Sequence, residues 1–110
     1  MATTNKILGQ SNPSTTGVSD LYTVPSATSA VVSSITATNV DGTASDISIF
    51  VVASGDTAGT QNALVYQAEL GANTIQAFTL GITLSAGDKL QVQLATSSAA
   101  TFQAFGSEIS

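Results

Sequence analysis

The chain has 110 residues, 8% of them charged and 5% aromatic, with seven acids against two lysines and a net charge of −5. At this length one domain with one core is expected, burying roughly two thirds of its unfolded surface. With no basic cluster to neutralise phosphates, direct nucleic-acid binding is not expected. The absence of histidine and cysteine removes the common nucleophile and base pairs, thiol chemistry, disulfides and most transition-metal sites.

Ala, Ser, Thr, Gly and Val dominate, so the surface is built from hydroxyls, amides and methyl groups. A positive mean hydropathy and regularly spaced Ile, Leu and Val argue against disorder. The N-terminus lacks the apolar run of a signal peptide, and no stretch approaches the ~20 apolar residues of a membrane span. A complete soluble protein, made in the cytoplasm and not bound to a membrane, is the expectation.

The first segment, "NKILGQSNPSTTG", has a short apolar start followed by Asn12-Pro13 and a run that interrupts a ladder. Residues 1–19 read as an N-terminal arm with one short strand, and residues 20–110 as the folded domain. "DLYTVP" is a brief strand ended by Pro25. "SAVVSSITATNV" places Val31, Ser33, Ile35 and Ala37 on the face assigned to the core. Asp41-Gly42 offers a turn with positive φ, and "DISIFVVA" returns with Ile47, Ile49 and Val51 inward. Phe50 and Val52 then face the other way, so this strand is expected to be covered on both sides.

After the loop "SGDTAGTQ", the strand "NALVYQAEL" presents Leu64, Tyr66, Ala68 and Leu70 on one face, with Leu64 and Tyr66 assigned to the core. "TIQAFTLGITL" follows, with Phe78, Leu80, Ile82 and Leu84 inward and Gly81 as a site of bending or close approach. "TLGITLSAGDKLQVQL" reads as a β-hairpin around a Gly-Asp turn. Its second arm puts Leu90, Val92 and Leu94 inward, and "TFQAFGSEI" closes the chain with Phe102 in the core. Seven to eight short strands joined by turns fit an all-β, single antiparallel β-sandwich. Jelly-roll and immunoglobulin-like topologies both satisfy the pattern.

Catalysis would have to rest on Asp20, Asp41, Asp46, Asp56, Glu69, Asp88 and Glu108, and most of these sit in turns. "DGTASD" and "SGDTAGTQ" lack the oxygen alternation and terminal glutamate of a calcium loop. No catalytic residue, metal site or cofactor is therefore assigned, and the chain is read as a non-enzyme. The informative feature is the set of outward Ser, Thr, Gln and Ala side chains on several strands. With few charges to oppose docking, such a surface suits flat contacts with copies of itself or with a larger particle. Ile7, Leu8 and Gln10 are the candidate partner-binding residues, because an apolar pair on a polar arm can add a strand to a neighbour's edge. In the competing reading, residues 6–10 complete the protein's own sheet beside the closing strand.

Residues 6–11 ("KILGQS"), 21–25 ("LYTVP"), 80–88 ("LGITLSAGD") and 102–109 ("FQAFGSEI") together resemble small virion structural proteins of tailed bacteriophages, notably those of cyanobacterial phages. The match spans most of the chain and is weakest over residues 40–75. The resemblance implies a β-sandwich component of the virion without enzymatic activity, first of all a capsid decoration or cement protein. Its partners would be the major capsid protein or other virion proteins. The alternatives are a tail, neck or fibre-associated structural protein and, further off, a glycan-binding module. Self-association is expected, with a trimer favoured by analogy with threefold positions on icosahedral shells.

Overall fold

The computed structural model describes residues 2–110 and is all-β. Eight strands run in chain order as β1 (Thr3–Ser11), β2 (Ser19–Thr23), β3 (Ser29–Asn39), β4 (Ser45–Val52), β5 (Ala63–Leu70), β6 (Ile75–Leu84), β7 (Lys89–Leu94) and β8 (Ala100–Ile109). A single 3-10 turn, Thr60–Asn62, precedes β5. Two four-stranded antiparallel sheets form, ordered β1-β8-β3-β6 and β2-β7-β4-β5. This interleaved order is the double Greek key of a jelly-roll, which settles the choice of topology.

The alternation that identified the strands also builds the core between the sheets. Ala30, Val32, Ile35 and Ala37 of β3 meet Ile47 and Ile49 of β4, Leu90, Val92 and Leu94 of β7, and Phe102 and Ala104 of β8. Val51, Phe78 and Ile82 pack against this cluster half-buried. Phe50 and Val52 are 2% and 1% exposed on the opposite side of β4, which is covered on both faces as its sequence suggested.

Four residues expected inside lie outside, and β-bulges account for all but Leu80. Val31 is 37% exposed while Val32 is fully buried. The register slips between Val32 and Ser34 against both neighbours, so Val32 and Ile35 both face inward across one extra residue. Leu80 and Gly81 of β6 lie unpaired in the same irregularity, and Leu80, of the same parity as Phe78 and Ile82, is exposed on the edge strand of the sheet. In β5 the slip falls between Val65 and Ala68, where Gln67 adopts φ 50°. Val65 thereby packs against the core, and Leu64 and Tyr66 are turned out to solvent.

Residues 79–94 do not form a hairpin. β6 and β7 are strands as expected, but they belong to different sheets and pair with β3 and with β2 and β4. The connecting corner is built around Asp88, whose carboxylate accepts from the Ser54 and Ser85 amides at 2.9 and 2.8 Å. Gly87, at φ 85°, turns the chain there. At the β3 to β4 connection the positive φ expected of Asp41-Gly42 is not used. Buried Asn39 shapes that turn instead, its Nδ2 donating to the Thr43 and Leu70 carbonyls and its Oδ1 accepting from the Asp41 amide.

The segment read as an arm is, over Thr3–Ser11, the edge strand of the protein's own sheet. It pairs antiparallel with β8 from Thr3 opposite Ile109 to Ser11 opposite Phe102. Leu8 enters the core. Gly9 lies so close to the Leu21 carbonyl of β2 that a Cβ there would collide with it. Asn12 then donates to the Ser98 and Ala100 carbonyls, which fastens the residues after β1 to the far end of the sandwich.

Candidate interaction surface

The outward face of the β1-β8-β3-β6 sheet follows from pairing parity, since residues directly opposite one another share a side. Buried Ile35 and Ala104, with half-buried Phe78, form one inward row. The adjacent row is therefore outward and comprises Ile7, Phe105, Ser34 and Thr79. Below it lie Gln10, Gln103, Thr36 and Ala77, and above it Asn5, Ser107, Val31 and Thr83.

None of these side chains is charged. The charged residues of the four strands are Lys6 and Glu108, and both have inward parity, opposite Gly106 and Ala30. The polar groups on the face are partly satisfied by one another: Gln10 Nε2 donates to Gln103 Oε1 at 2.8 Å, Ser107 Oγ to Asn5 Oδ1 at 2.6 Å, and Ser33 Oγ to the Phe105 carbonyl at 3.1 Å. Into this neutral ground are set Ile7 and Val31, respectively 52% and 37% exposed, with half-buried Phe105 beside Ile7. A surface of this kind can exclude water from a flat partner without desolvating any charge.

Of the three residues expected to bind a partner, Ile7 and Gln10 lie on this face and Leu8 does not. Consecutive strand residues point to opposite sides, so an Ile-Leu pair cannot present both side chains outward. Val31 and Phe105 belong to the face and were missed, Val31 because the bulge that exposes it leaves no mark in the alternation.

Lys6 and Glu108 serve the junction between the sheets. Glu108 Oε1 receives Lys6 Nζ at 3.3 Å, and Oε2 accepts the hydroxyl of Tyr22, from the other sheet, at 2.6 Å. Burial, with the carboxylate beside it, pushes the Tyr22 phenol above its usual range. The Tyr22 hydroxyl and Lys6 hold Glu108 below the ordinary carboxylate range, against a burial that acts the other way.

The outer face of the second sheet differs in both charge and cover. Asp20 sits opposite Gln91, Lys89 opposite Thr23, and Asp46 opposite Glu69. Phe50 and Val52 on this side are buried, the 3-10 turn packs against β4, and Gln93 Nε2 holds the Thr16 carbonyl at 3.2 Å. A cleft of ≈ 290 Å³ remains, lined by Thr16, Asp46, Ser48, Gln67, Gln93, Leu94 and Ala95. Among the described residues no three carboxylates gather into a metal-binding group, and no helix is long and apolar enough to cross a membrane. Asp41, Asp56 and Asp88 each accept backbone amides in their own turns or corner.

No family model matches this chain, and no curated protein sequence matches it. Among solved structures, a chain from the structure of infectious bursal disease virus Gx strain is similar over 97% of this chain, with 16% sequence identity and a TM-score of 0.47. The similar region is 30% of that chain's length.

Proposed function

We propose that this chain is a non-enzymatic virion structural protein that decorates and stabilises a phage head shell. The observation that carries the reading is the uncharged outer face of the β1-β8-β3-β6 sheet, which none of the described residues covers in the way the second sheet is covered. Jelly-roll sandwiches recur in viral capsid and lectin domains, which is fold-level analogy. The likeness of residues 6–11, 21–25, 80–88 and 102–109 to phage virion proteins points the same way. A partner such as the major capsid protein would seat Ile7, Phe105 and Val31 against a flat apolar patch.

The test is binding of the purified protein to phage heads that lack it, followed by imaging of the decorated particle. Ile7→Asp and Val31→Asp, both at exposed positions, are expected to keep the β-sheet spectrum and to lose head binding at least tenfold. Density confined to the tail or neck would replace the cement reading with that of an appendage protein. A second reading rests on the cleft of the other sheet, where Asp46, Ser48, Gln67 and Gln93 offer the hydroxyl and amide groups that a sugar requires. Selective retention on a glycan array, lost in Asp46→Ala, would favour it.

A further inference from the structure

We infer that the free edge of β6 is a self-pairing site, through which two copies of this chain join antiparallel across a twofold axis. A sandwich of two open sheets has four edges, and unprotected edges template pairing with other strands. Three of the four are closed. β1 carries Lys6 and a bulge at Leu8, and its Gly9 lies against the backbone of β2. β2 is five residues long, contains Asp20 and leads into Pro25. β5 is broken by its bulge at Gln67 and carries Glu69.

β6 has none of these guards over its first half. Its ten residues, "IQAFTLGITL", contain no charge and no proline. Residues 75–79 pair with β3 without interruption, and the bulge at Leu80 and Gly81 comes only after them. Ile75, at 62%, is the most exposed large apolar side chain of the described residues.

Charge decides the occupant. The chain carries −5, and approach of a second copy through the turns would bring Asp41, Asp56 or Asp88 against their counterparts. The β6 edge brings together two strands that carry no charge, and an antiparallel pair of identical strands is complementary to itself. A twofold axis normal to the sheet preserves outward parity, so residues of like parity must face each other. Centring the axis on the uninterrupted run places Ala77 opposite Ala77 and Ile75 opposite Thr79. The four-stranded sheets then join into one of eight strands, whose uncharged outer face is continuous across both copies. Five paired residues bury less than a standard interface, so the association is weak and concentration-dependent. It holds whether or not the protein belongs to a virion.

Sedimentation of the full chain tests this, together with two variants. The wild type should shift from one copy toward two between about 1 µM and about 1 mM. Thr79→Lys should keep the wild-type circular dichroism and weaken association at least tenfold. Because the chain has no cysteine, Ala77→Cys should give a disulfide-linked dimer on mild oxidation, while Thr3→Cys on the opposite edge should not. A wild type that stays monomeric throughout the range overturns the proposal. So does a trimer, or an association that survives Thr79→Lys with no crosslink from Ala77→Cys. Should Thr79→Lys fail to fold, the crosslink alone decides.

Discussion

The outer faces of the two sheets start from the same material, four short strands rich in Ser, Thr and Gln, and end in opposite conditions. On the β2-β7-β4-β5 sheet the chain lays its own segments over apolar side chains: Phe50 and Val52 are as buried as the core, and residue 16 is tied down by Gln93. The remainder of that face carries Asp20, Lys89, Asp46 and Glu69 among its neutral side chains. On the β1-β8-β3-β6 sheet no described segment is laid over Ile7 or Val31, and the outward side chains around them are uncharged. Outward apolar groups are thus managed inside the molecule on one side and left for something else on the other. Solubility alone calls for no such asymmetry.

The sharpest test of the inner and outer assignments uses adjacent residues of β3. Val32→Asp buries an unpaired carboxylate at a fully buried position and should abolish cooperative unfolding, while Val31→Asp should cost about 1 kcal/mol. Equal damage would mean that the bulge at Ser33 is misplaced. Next in size, Phe50→Ala should destabilise by about 3 kcal/mol in denaturant titration although Phe50 lies on an outer face. Phe105→Ala, on the uncovered face, should cost well under half of that.

The junction between the sheets gives a smaller, pH-dependent effect. Tyr22→Phe removes the bond to Glu108 and should lower the Tm by about 4 °C at pH 7, for a loss of about 1 kcal/mol. The depressed Glu108 contributes stability above its unfolded pKa and loses it as pH falls through the folded value, so the gap between variant and wild type should narrow in acid. The raised Tyr22 contributes below its unfolded value near 10 and should lose that contribution as the wild type is taken to higher pH. Smallest of all, Leu80→Ser should move stability by no more than about 0.5 kcal/mol. Its effect belongs in binding measurements.

Period-two alternation located all the strands, because burying one face of a sheet imposes it directly on the sequence. It also placed Ile35, Ile47, Ile49, Val92 and Phe102 correctly in the core. Alternation cannot display a bulge, since one extra residue shifts phase without changing residue type. Val31, Leu64 and Tyr66 were misplaced for that reason, whereas Leu80 keeps inward parity and is exposed on an edge strand. Partner choice was equally hidden: the corner at residues 85–88 has the turn chemistry of a hairpin, and only packing across the sandwich sends β6 and β7 to different sheets. The uncharged surface was legible as composition, but its collection onto one face depends on the pairing of β1 with β8, which joins Thr3 to Ile109.

That pairing governs when the molecule can fold. β8 is the last strand in sequence, yet it lies between β1 and β3, and both neighbours wait for it. As the chain leaves the ribosome, β3 and β6 can pair with each other but β1 has no partner in its sheet, while β2, β4, β5 and β7 can already complete theirs. The first sheet stays incomplete until β8 has been made, and its closure requires pairing between strands as far apart in sequence as Thr3 and Ile109. Folding of this kind is slow for the size of the domain, because loop closure comes before the reward of contact. Half-made chains expose unpaired strands of low charge for as long as translation lasts, so a pause within β8 would favour aggregation far more than a pause of equal length within β4.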